Sequence, residues 1–142
     1  MSKSKQPNER ELALLDDGIS AVCQAARSIG VLMDRDTMFS TTRSPNVVLC
    51  RYMLVYVLRE CFSVRSNVAS SMCKLSHATS LYGSREILKR ASVEPQVAAL
   101  FRETMTQLGL PTPQFIMLAS EKKVGHTFYS ASQPQAEHWR KR

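Results

Sequence analysis

Between residues 74 and 85 the chain reads Lys74-Leu75-Ser76-His77-Ala78-Thr79-Ser80-Leu81-Tyr82-Gly83-Ser84-Arg85, a run of short hydrogen-bonding side chains bracketed by cations. The chemistry open to this set is recognition, not bond making. Side chains at the first turn of a helix can meet base edges, and the positive end of the helix dipole favours phosphate. Ser76 is the natural N-cap, its hydroxyl free to accept from the backbone N–H of Ala78 or Thr79. A helix is therefore expected from Ser76 to about Arg90, with His77, Thr79 and Ser80 at its start facing a major groove. His77 can donate to a base acceptor, and the Thr79 methyl can touch a thymine methyl. Lys74 and Arg85 are the expected phosphate contacts. The plainer alternative is that His77 caps the helix or packs against Tyr82.

The elements that must hold this helix are legible from apolar spacing. Val64, Val68 and Met72 recur every four residues, predicting a helix of about ten residues just upstream. Lys74 and Leu75 then make a tight turn, which gives a helix-turn-helix over Ser63 to Arg90. From Arg10 to Ile29 the apolar positions Leu12, Leu15, Ile19, Val22, Ala26 and Ile29 alternate steps of three and four, one face of a helix. Asn8 with Glu11 resembles a capping pair and Gly30 a stop; Asp16 or Asp17 could instead cap a shorter helix. Val31 to Phe39 suggests a small helix, and Ser40-Thr41-Thr42-Arg43 a polar loop. Ser44-Pro45 starts the next helix, Ser44 as cap, running to about Phe62. Its stretch Val47 to Leu58 is apolar nearly all round and marks the buried centre. Arg51 and Arg59 are the exceptions, and for Arg59 a salt bridge and a DNA contact are equally open. Ser92 is expected to cap a further helix beginning at Pro95, with Val93, Val97, Leu100, Phe101, Met105 and Leu108 inward and Gly109 at its end.

These elements predict an all-α bundle of five to six helices occupying residues 10–109. Residues 1–9 read as a disordered N-terminus and 110–142 as a basic, partly disordered tail. The tail holds one apolar patch, Phe115 to Leu118, and carries Trp139 among cations.

Charge supports a nucleic-acid reading through its location. The 142 residues carry 19 Lys/Arg against 12 Asp/Glu, net +7. Residues 1–42 hold five cations against six anions, 43–90 eight against two, and 91–142 six against four. A surface that displaces counterions from phosphates must cluster its charge in this way. The cysteines at 23, 50, 61 and 73 form no Cys-x-x-Cys pair and lie within apolar helical patterns, so buried reduced thiols are expected, and neither zinc nor disulfides. No catalytic or phosphate-cradling motif is present, and His77, His126 and His138 are too scattered for a local metal cluster. The expectation is a protein that is not an enzyme and needs no cofactor or metal. With no apolar run long enough to span a bilayer and no secretory h-region, it is expected in the cytoplasm, on the nucleoid.

Ser76-His77-Ala78-Thr79-Ser80-Leu81, followed by Arg85, Glu86 and Ile87, resembles the signature helix of the C-terminal DNA-binding domain of the bacterial replication initiator DnaA, a Trp-repressor-like helix-turn-helix. Arg51 and Met53 to Arg59-Glu60 are similar to that family's upstream helix, and Arg43-Ser44 to its basic loop. The resemblance covers roughly Leu15 to Leu108. Ser76 stands where the family has Asp, and Ala78 where it has Ser or Thr. The resemblance implies double-stranded DNA as partner, with Arg43 entering the minor groove and Arg51 on phosphate. It further implies a role in replication initiation, its control or transcription; a phage or mobile element is one open source of such a chain. Other replication or regulatory proteins are the implied further partners. The family's nucleotide-hydrolysing module is absent, so such a chain could dock on DNA without driving melting. The other reading is a non-catalytic interaction or structural protein that keeps the fold for protein contacts.

Overall fold

The computed structural model describes residues 6–121, and within them every regular element is helical: α1 (Glu9–Ser28), α2 (Arg35–Met38), α3 (Pro45–Tyr56), α4 (Ser66–Met72), α5 (His77–Ala91), α6 (Pro95–Leu108) and α7 (Gln114–Glu121). The all-α expectation holds, with one helix more than foreseen. Trp139, His126, His138 and residues 1–5 lie outside the described residues.

Helix starts and stops follow from local chemistry. At α1 the Asn8 side chain accepts from the Glu11 N–H at 2.8 Å and Glu11 accepts from the Asn8 N–H at 3.0 Å, a reciprocal cap that discards the shorter helix. At its other end Val31 N–H donates to Ala26 and Gly30 N–H to Arg27, with Gly30 at φ 93. Gly109 at φ 72 closes α6 with the same pair of bonds. Two expected caps fail. Ser44 makes no side-chain bond at α3, where Pro45 in the first turn suffices. The Ser92 hydroxyl donates backward to Lys89 and closes α5, while Glu94 stands at the start of α6 with its carboxylate on Arg90.

Helix α3 and the turn that continues it carry the core. Val47, Leu49, Cys50, Met53, Leu54, Val55, Val57 and Leu58 are all buried, surrounded by α1, α2 and α5. Past Tyr56 the backbone widens into a π-helical turn, Val57–Cys61, before Ser63 at φ 55 redirects the chain. The helix thus reaches the expected Phe62, but not as one α-helix. On the far side α1 packs along α6, and α7 covers α6 with Ile116 and Ala119 buried. The apolar patch expected within a tail is this seventh helix. Two positions assigned to inner faces point outward: Val93 is 69% exposed and Leu12 46%.

α5 approaches α3 closely at one point. A Cβ on Gly83 would lie 2.4 Å from Tyr52 Cδ1, so glycine is what lets the two helices meet there. Tyr52 also packs edge-on against Tyr82, ring centroids 6.0 Å apart.

Candidate nucleic-acid interface

Four residues, Cys73 to Ser76, separate α4 from α5, the length of turn that joins the two helices of a DNA-binding pair. α4 ends as α1 and α6 do: Leu75 N–H donates to the Ser70 carbonyl at 2.9 Å and Lys74 N–H to Ser71 at 3.1 Å. The residue in the left-handed position, occupied by glycine at the other two ends, is here Lys74 at φ 58. That conformation costs an L-residue ~1 kcal/mol or more relative to glycine. The turn therefore holds a lysine where a less strained residue exists.

Ser76 then caps α5 as expected, through Thr79: its Oγ accepts from Thr79 N–H at 3.1 Å and donates to Thr79 Oγ1 at 2.9 Å. Both hydroxyls are thus engaged within the cap, with Thr79 half-buried and His77 and Ala78 exposed. Ser80 is a correction. It is 1% exposed, on the face of α5 that packs inward with Gly83, Ser84 and Ile87, so it cannot face a groove. Its hydroxyl and that of Ser84 are buried without a hydrogen-bond partner.

Arg51 is placed differently from a phosphate contact. Its Nε donates to the Met38 carbonyl at 2.6 Å and its Nη2 to that of Ser40. The guanidinium thereby ties α2 and the loop bearing Arg43 to α3. It also lies near the end of α4: burial pushes the Cys73 thiol up to about 12, with the charge of Arg51 acting in the opposite direction. Arg59 takes the structural option, donating to Ser66 Oγ at 3.2 Å with Glu60 at 3.8 Å.

A partly buried ion pair anchors α4. Arg65, at its N-cap, grips Glu11 of α1 through Nε at 3.0 Å and Nη2 at 2.8 Å. The Glu11 side chain is 3% exposed, and the Arg65 hydrogen bond together with the Asn8 N–H holds its carboxyl down at about 2 against the cost of burial. The four cysteines are free thiols, three of them buried, and burial raises each. Among the described residues no cluster of His, Cys, Asp or Glu could hold a metal ion, and no helix is long and apolar enough to cross a membrane.

Most described cations are already occupied. Arg10, Arg27 and Arg51 donate to backbone carbonyls, while Arg35, Arg59, Arg65, Arg90 and Arg102 face carboxylates. Arg43, Lys74, Arg85 and Lys89 remain, all exposed and, among the described residues, without an ion-pair or hydrogen-bond partner. Lys89 was missed in the sequence because nothing local distinguishes it from Arg90, which is held by Glu94 at 3.0 Å. Compared with protein-family models, curated proteins and solved structures, the chain matches none.

Proposed function

We propose that this protein binds double-stranded DNA through α4, the Lys74 turn and α5 used as a helix-turn-helix, as in the DnaA C-terminal domains that its sequence resembles. The observation that carries the reading is the set of four unpaired cations, Arg43, Lys74, Arg85 and Lys89, which belong to this unit and the loop tethered by Arg51. A merely solvated surface would leave free cations scattered over every helix, whereas the cations of α1, α2, α3 and α6 are all engaged. His77 and Ala78, exposed beside the capped start of α5, are the candidates for base edges, and Lys74, Arg85 and Arg43 for phosphates and the minor groove. The process served is replication initiation, its control or transcription, on the nucleoid.

The test is duplex binding by the full chain across a salt series. Log affinity is expected to fall linearly with log salt, by about 0.9 per neutralised phosphate. Arg43→Ala and Arg85→Ala each lower affinity for all sequences and flatten that slope, whereas His77→Ala costs ~1–3 kcal/mol of sequence preference. Weak, salt-insensitive association would instead support a protein-interaction role for the same fold.

A further inference from the structure

We infer that the duplex contacts the whole outer face of α5 and not only its capped start, with Tyr82 and Lys89 as contact residues; this rests on the DNA-binding reading above. At about 100° per residue, Ala78, Tyr82, Arg85 and Lys89 fall within an arc of about 60°, opposite the buried Ser80, Gly83 and Ile87. Ala78 to Lys89 spans about 17 Å along the helix axis at about 1.5 Å per residue, enough to follow a groove rather than enter it by one turn. The four cited side chains of this arc are all exposed, Tyr82 by 56%.

Charge complementarity identifies the occupant as a polyanion. Lys89 lies one turn beyond Arg85, and neither has a carboxylate partner, although Arg90 next to Lys89 does. Tyr82 stands between the cations and the start of the helix. Its ring is steadied by the edge-on contact with Tyr52, which is itself seated over Gly83, so the side chain is ordered before any ligand arrives. An exposed, pre-positioned tyrosine one turn before two unpaired cations suits a phosphate oxygen, to which its hydroxyl donates while the cations supply charge.

The two residues act through different terms, and that separates them in one experiment on the full chain with a random-sequence duplex. Lys89→Ala is expected to reduce the magnitude of the salt slope by about 0.9, and Lys89→Arg to restore it. Tyr82→Phe keeps the ring pair with Tyr52 and removes only a neutral donor; it is expected to weaken binding about five-fold at every salt concentration with an unchanged slope. Far-UV circular dichroism and thermal unfolding of each variant confirm an intact fold. If Arg85→Ala flattens the slope while Lys89→Ala and Tyr82→Phe match the wild type, the contact is confined to the start of α5 and this inference is wrong with the DNA-binding reading intact. If the wild-type chain shows no salt-dependent binding, both fall.

Discussion

Lys74→Gly should make the protein more stable and a poorer DNA binder at once. Three helices end with the same pair of backbone bonds, and the left-handed residue is Gly30 at φ 93, Gly109 at φ 72 and Lys74 at φ 58. Relieving the lysine of that conformation returns ~1–2 kcal/mol. Glycine also gives the unfolded chain more freedom, which takes back ~0.4–1 kcal/mol. The net expectation is ~0.5–1 kcal/mol of added stability, read as a higher urea midpoint with an unchanged m-value. Lys74→Ala supplies the control, since alanine keeps the strained conformation and loses the charge. Both variants should weaken duplex binding to the same extent and lower the salt slope by about 0.9, because both remove one cation, while only the glycine variant gains stability. Equal stability of the two variants would refute the strain argument. Wild-type affinity in both would remove Lys74 from the interface.

Gly83→Ala should destabilise, because the gain in helix propensity, ~1 kcal/mol, is outweighed by a Cβ 2.4 Å from Tyr52, and overpacking of this kind costs ~1–3 kcal/mol; in a Tyr52→Ala background the same change should become stabilising, a reversal of sign measured by urea unfolding. Glu11 has its carboxyl lowered from 4.5 to about 2 by Arg65, so it contributes stability above about pH 4.5 that is lost as pH falls toward 2. Full conversion would give ~3 kcal/mol, but Arg65 is 40% exposed and screening leaves ~1–2 kcal/mol; thermal unfolding from pH 7 to 2 should show the loss, and Glu11→Gln should flatten it while lowering stability at pH 7. Ser80→Ala removes a buried hydroxyl that has no partner, and should be neutral to stabilising by ~1 kcal/mol with duplex affinity unchanged, an outcome that a groove-facing Ser80 would contradict.

What the sequence by itself determined is the set of features controlled by neighbours within one turn. The Ser76 cap, the glycine stops at 30 and 109 and the Pro45 start each need only one residue and the backbone three or four positions away, whereas for α1 the sequence offers Asp16 or Asp17 as well as Asn8, and the reciprocal Asn8–Glu11 bonds decide it. Apolar spacing likewise located α1 and α6 by one apolar face each, and α3 because a helix apolar nearly all round has no option but the interior. Only the tertiary structure decided which face of α5 is free. Ser80 and Thr79 differ little as side chains, yet the approach of α3 over Gly83 buries the first completely and leaves the second part of a cap. The fate of each cation was equally non-local: Arg51 is drawn to carbonyls of α2 and the following loop, Arg65 to a carboxylate 54 residues away, and Lys89 to nothing. Whether an arginine or lysine is available to a partner depends on where distant acceptors come to lie, and the distances between them are set only when the helices pack.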